Sequence, residues 1–111
     1  MDKVIIINSE SFGHGSEELG KKLMGAFLRK IWAGEDKPAA IILYNSGVKI
    51  AAAGSYVLDA VTGLMEAGVD IIACGTCVEY FKLEDSLQAA RISNMEEISA
   101  IMLAAKSVVT L

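Results

Sequence analysis

The chain has 111 residues, 53% of them hydrophobic and 22% charged, the balance of one compact domain with a core of its own. Ten Lys and Arg against fourteen Asp and Glu leave a net charge of −4 with no basic run, which argues against a nucleic-acid surface. No apolar stretch reaches the roughly 20 residues that span a bilayer, no signal-peptide pattern opens the chain, and two close cysteines are not a secreted disulfide framework; a reducing cytoplasm is the expected setting.

Lys3 to Asn8 is a β-branched run, the pattern of a strand covered on both faces. It enters the loop 9–16, where His14 stands between Gly13 and Gly15. Ser16 is placed to cap a helix, and Glu17 and Glu18 suit the positive end of its dipole. Leu19, Leu23, Phe27 and Ile31, with Met24 and Leu28 beside them, then recur at helical spacing, and Gly34 and Pro38 bracket the exit. Residues 39–44 are a second apolar strand, ending in the loop Asn45-Ser46-Gly47-Val48. A second helical stripe comprises Val57, Leu58, Val61, Leu64 and Met65, and stops at Gly68.

Residues 69–73 form a third buried strand that runs straight into a loop, Cys74-Gly75-Thr76-Cys77, after which the chain is helix-permissive from Val78 to Phe81. Residues 83–90 carry no strong period and are compatible with a short helix. Residues 91–93 read as a short fourth strand. Ser93 or Asn94 caps a helix in which Ile98, Ile101, Met102 and Ala105 share a face, and 107–111 read as the last strand. Strands alternating with helices predict an α/β fold, one domain over 1–111, with a parallel sheet covered by helices on both faces. Such a sheet places the loops 9–16, 45–48 and 74–77 along one edge, where open α/β sheets gather ligands and chemistry.

Both cysteines of the chain fall in one C-x-x-C at that edge, a pattern that points to redox or sulfur chemistry in an intracellular protein. A thiolate is the reactive form, and the amides opening a helix after the loop would favour it at Cys74, leaving Cys77 as a resolving thiol. Gly75 permits the tight turn and close approach of a ligand, with Thr76 beside it. The plain alternative is that both thiols are small buried apolar residues. Three Cys and His in total fall short of a closed zinc site, so no metal is expected. No cofactor is expected either: Gly13-His14-Gly15 and Gly20 are spaced G-x-G-x-x-x-x-G, which is neither the dinucleotide fingerprint nor a Walker loop. His14 and Gly15 remain candidates for an anion nest, and His14 for an acid–base partner of Cys74, against the plainer reading of an exposed loop residue. Asn45, Ser46 and Gly47 offer hydrogen-bond donors at the same edge or, equally, a turn chosen for its backbone geometry.

Cys74-Gly75-Thr76-Cys77-Val78-Glu79-Tyr80-Phe81 and Ile92-Ser93-Asn94-Met95, with Tyr44-Asn45-Ser46-Gly47-Val48-Lys49 and Glu18-Leu19-Gly20, resemble the DsrE-like domain at the C-terminus of YedF-type selenium-metabolism proteins. The resemblance covers essentially the whole chain. It implies a three-layer α/β/α sandwich with a mainly parallel five-stranded sheet, of the DsrE/DsrF (DsrEFH) type. It also implies a sulfur-relay protein, sulfurtransferase-like, that carries a persulfide, or its selenium equivalent, on Cys74. The implied partners are further copies of itself in a homo-oligomer, and a TusA-like sulfur carrier or a cysteine desulfurase. Two departures stand out: these 111 residues contain no C-P-x-P motif of a TusA-like domain, and Lys82 stands near a position where relatives tend to have glycine. Two other functions fit the same residues, a C-x-x-C thiol–disulfide oxidoreductase and a small-molecule or anion-binding oligomeric module without catalysis.

Overall fold

The buried runs seen in the sequence become the three central strands of one sheet. In the computed structural model, which describes residues 2–111, the strands are β1 (Lys3–Ile7), β2 (Ala40–Leu43), β3 (Asp70–Cys74), β4 (Arg91–Ser93) and β5 (Ser107–Thr110). They pair in the order β4-β3-β2-β1-β5, every pair parallel. The helices are α1 (Glu17–Ala33), α2 (Leu58–Glu66), α3 (Gly75–Tyr80) and α4 (Met95–Ala104). From β1 the chain steps outward through β2 and β3 to β4, then crosses back on α4 to place β5 on the far side of β1.

Alternate residues of the central strands face opposite layers, as the period of two requires. Ile5, Ile7, Ile41, Leu43, Ile71 and Ala73 pack with Met24 and Leu28 of α1 and Ala60, Val61 and Leu64 of α2. Val4, Ile6, Ala40, Ile42, Ile72 and Cys74 face the other way, where Ile98 of α4 covers them. The three-layer α/β/α expectation therefore holds, with an all-parallel sheet and one thin layer. α4 is the only helix on its side among the described residues, and β5 stays exposed along its length.

The caps follow sequence chemistry. Ser16 Oγ accepts the Leu19 N–H at 3.2 Å and Asn94 Oδ1 accepts the Glu97 N–H at 3.0 Å, each satisfying an otherwise free amide of a helix's first turn. Three local expectations change. Asn45–Ala51 is a 3-10 helix and not a simple loop, α3 begins at Gly75 so that Cys77 is helical, and residues 83–90 form turns without a helix. That last segment is tied down by its backbone: Ala53 N–H donates to the Ser86 carbonyl at 2.8 Å, and the Gln88 and Ala89 N–H groups donate to the Ala51 carbonyl at 2.9 and 3.0 Å. Pairing with another segment has displaced the local helix.

Arg91 pins the short strand β4. Its guanidinium forks onto Asp70 of β3 (2.8 and 3.0 Å) and onto Glu97 of α4 (2.7 and 3.0 Å). Bidentate geometry makes this cluster more than an ordinary surface pair. The hydrogen bond from Arg91, with one from the Ser93 hydroxyl, lowers the Glu97 carboxyl from its usual 4.5 to about 2.

A carboxyl depressed in the folded state contributes stability above its unfolded pKa and loses it as pH falls through the folded one. Between pH 4.5 and about 2, denaturant unfolding of wild type is expected to show a loss of stability that Glu97→Gln lacks. An identical acid profile in both proteins would remove the linkage. Separately, Lys82 has φ 57°, in the left-handed region that glycine enters freely. Lys82→Gly is expected to raise stability by up to about 1 kcal/mol, strain relief exceeding glycine's extra unfolded entropy, whereas Lys82→Ala gains nothing. Chemical denaturation of the three proteins measures this.

Candidate functional site

The carboxyl ends of β2 and β3 lie side by side, with Leu43 in register with Ala73. The next residues of the two strands therefore share a neighbourhood: Tyr44 and Asn45 on one, Cys74 to Cys77 on the other. Tyr44, Asn45, Cys74 and Cys77 enclose a cavity of about 490 Å³, also lined by Thr76, Tyr80, Phe81 and, from the start of α4, Met95. Cys74 is the last residue of β3 and caps α3; it is 4% exposed and packs against the Ile98 side of the sheet. Cys77, one turn on, is half-buried and touches both cores. Neither forms a disulfide.

The hydrogen bond at the thiols comes from another element. The backbone N–H of Asn45 donates to Cys77 Sγ at 3.1 Å. Asn45 has φ 51°, a left-handed conformation that asparagine tolerates better than most residues, as the chain turns from β2 into the 3-10 helix. This alters the expectation that helix amides would act on Cys74. α3 is a six-residue helix, and the donor reaching sulfur is an amide across the cavity, on Cys77. Burial pushes the Cys77 thiol above its usual 9.0, the Asn45 N–H pulls it partly back, and its contact with Cys74 raises it again. Cys77 thus keeps its proton at neutral pH and stands beside Cys74 as a protonated neighbour.

The remaining candidates separate. Gly75 opens α3 with its Cα tight against β4: a Cβ there would lie 2.9 Å from the Ser93 carbonyl oxygen. Gly47 is tighter still, since a Cβ would stand 2.1 Å from the Ile7 carbonyl oxygen. Both glycines let elements approach, and neither lines the cavity. Ser46 Oγ accepts the Glu10 N–H at 3.2 Å and so ties the first two loops together. His14 and Gly15 line a different cavity, of about 370 Å³, with Asn8, Ser9, Ser11 and Leu111 at the ends of β1 and β5. β2 lies between that place and the thiols, so the pairing of His14 with Cys74 is not formed. Among the described residues no group of three His, Cys, Asp or Glu side chains is placed to hold a metal, and no helix is long and apolar enough to cross a membrane.

Sequence reasoning from the loops alone passed over the walls of the cavity. Tyr44 directly precedes Asn45, Tyr80 and Phe81 come after Cys77 at the helical spacings of three and four, and Met95 lies just beyond the end of β4. The rule that placed chemistry at strand ends, extended one turn into each succeeding helix, reaches all four.

The DsrE/DsrF-like family profile matches residues 1–111, and the chain belongs to that family, which is associated with sulfur relay. No curated protein matches it in sequence. Among solved structures it resembles the YchN protein from E. coli (18% identity, all of both chains, TM-score 0.70). It is similar as well to MTH1491 from Methanobacterium thermoautotrophicum, a protein of unknown function (19% identity, 96% of this chain and 97% of that one, TM-score 0.66). A third likeness is to BT1422 from Bacteroides thetaiotaomicron (18% identity, 98% and 94%, TM-score 0.70). At these identities the likeness is one of fold.

The Asn45 contact has a direct test. Asn45→Val places a β-branched residue in the left-handed region, at a cost of about 1–2 kcal/mol, and turns the amide away from sulfur. Cys77 alkylation, read by peptide mass at mildly alkaline pH, is expected to slow in Asn45→Val and to persist in Asn45→Gly, which keeps the backbone conformation. Equal rates in all three proteins would show that the amide does not govern Cys77.

Proposed function

We propose that this member of the DsrE/DsrF-like family is a sulfur-relay protein that carries a persulfide on Cys74 and passes the outer sulfur to an acceptor thiol. The observation that carries the reading is the pairing of two free thiols in one open cavity, one at the strand end and the other held as a proton-bearing neighbour. The Cys74 thiolate attacks the outer sulfur of a donor persulfide, the donor's S–S bond breaks, and the donor leaves as a thiolate. In the second half an acceptor thiolate attacks the outer sulfur of the Cys74 persulfide, the new S–S bond breaks, and Cys74 leaves as thiolate. One side reaction competes. Deprotonated Cys77 would attack the inner sulfur and expel hydrosulfide, leaving a Cys74–Cys77 disulfide. The raised pKa of Cys77 restrains that loss at neutral pH.

The donor on this reading is a TusA-like carrier protein or a cysteine desulfurase, and the working unit is a homo-oligomer. Support for the latter is the thinly covered sheet face, on which Val108 of β5 stays exposed beside the exposed Leu103 of α4.

Intact mass spectrometry after incubation with a cysteine desulfurase and cysteine tests the proposal. Wild type and Cys77→Ala are expected to gain one sulfur atom that reductant removes, Cys77→Ala holding it longer at alkaline pH, and Cys74→Ala to gain none. No gain in wild type overturns the carrier reading. A wild type that yields only the Cys74–Cys77 disulfide points instead to thiol–disulfide exchange.

A further inference from the structure

The cavity around the thiols has walls but no charge. Tyr44, Tyr80, Phe81 and Met95 form half of its lining, and no Lys, Arg, Asp or Glu contributes to it. Lys49 stacks on the Phe81 ring, its ammonium 4.5 Å from the centroid, and is paired with Glu10 Oε1 at 3.8 Å; it lines a neighbouring cavity with Lys21 and Tyr56. The one amide aimed at sulfur, that of Asn45, already donates to Cys77. An inorganic sulfur anion entering here would lose water without gaining a charged partner in the lining, which is unfavourable. An uncharged organic group would lose little and would gain aromatic and thioether contacts, which suit sulfur compounds. The volume, about 490 Å³, accommodates a ring with its thiol, and Tyr80 (77% exposed) and Met95 (55% exposed) extend the apolar surface to the mouth.

We infer that the acceptor taking sulfur from Cys74 is an uncharged, apolar organic thiol, selected by the ring or alkyl group it carries. This rests on the persulfide reading for its chemistry and adds the acceptor's class. The acceptor thiolate attacks the outer sulfur of Cys74–S–SH; the S–S bond breaks, the acceptor departs as R–S–SH, and Cys74 is left as thiolate. No oxidant or reductant enters. Met95 acts in this scheme as a specificity residue at the entrance: a cation there would reverse the preference between apolar and anionic acceptors.

Protein loaded with one sulfur is mixed with benzyl mercaptan, mercaptoethanol, glutathione or sulfite, and discharge is followed by intact mass, with rates compared per thiolate for the thiols. Benzyl mercaptan is expected to saturate and to discharge Cys74 at least about tenfold faster than mercaptoethanol or glutathione, a difference of about 1.4 kcal/mol, with sulfite slowest. Met95→Lys, at an exposed position, is expected to slow benzyl mercaptan and speed sulfite. Glutathione or sulfite matching benzyl mercaptan in wild type overturns the inference while leaving the carrier reading intact. A second measurement stands apart from transfer. Benzyl methyl sulfide, which has no sulfur to give or take, is expected to protect Cys77 from alkylation in wild type and less so in Met95→Lys. Protection in a protein that cannot be loaded with sulfur would sustain the cavity's selectivity and sink the carrier reading; no protection would overturn the selectivity itself.

Discussion

The parallel register between β2 and β3 is the constraint on which the site depends. Four residue pairs, from Ala40 with Asp70 to Leu43 with Ala73, fix the two strands at the same height. Both strands are buried on both faces, so a slip of either by one residue would turn its own side chains, Ile41 and Leu43 or Ile71 and Ala73, out of one core and into the other. Because that slip is prohibitive, the two strands must leave the sheet together, and the residues just beyond their ends meet. The thiols do not find Asn45 by the flexibility of a loop; they are delivered to it by a core that has only one way to pack.

The local backbone refines that meeting. Asn45 in a left-handed conformation turns its amide toward Cys77, and Gly47 then lets the 3-10 helix pass against the Ile7 carbonyl without the clash a side chain would make. On the other strand Gly75 lets α3 start directly after Cys74 by lying close to the end of β4. Arg91 holds β4 in that position through Asp70 and Glu97. Charge thus works at the rim, fixing elements, while the space between the thiols and the aromatic walls is left neutral.

The strands and helices that bury most were the most legible in sequence. Val4 to Ile7, Ala40 to Leu43 and Ile71 to Ala73 had to be strands covered on both faces, and Ser16 and Asn94 had side chains suited to cap helices. The stripe assigned to α1 was only partly right about burial: Met24 and Leu28 are fully covered, whereas Leu19 and Leu23 are largely exposed. The helix leans on the sheet by the face that carries Met24 and Leu28, while Gly20 on that side sits tight against Ser11 and Phe12 of the preceding loop. Residues 83–90 looked locally free to coil, yet their partners lie thirty or more residues earlier at Ala51 and Ala53, which no local pattern reveals. The aromatic lining was likewise invisible to any local pattern and legible only from the strand ends outward. Tyr44, Tyr80, Phe81 and Met95 are four ordinary apolar residues until the register of three strands brings them around one volume.

His14 shows how far the strand-end rule reaches. In open α/β sheets ligands gather where the strand order reverses, and here that point lies between β1 and β5, where the chain has crossed the whole sheet. The cavity there is polar, built from Asn8, Ser9, Ser11 and His14. The thiols stand two strands away, beyond β2, at a junction between strands laid down consecutively. Topology therefore names an edge and not a position along it. The thiol pair is set apart by its surroundings: a second thiol as neighbour, an amide donating to sulfur and apolar walls. On this edge those three meet only where Cys74 and Cys77 face Asn45 beneath Tyr44 and Phe81.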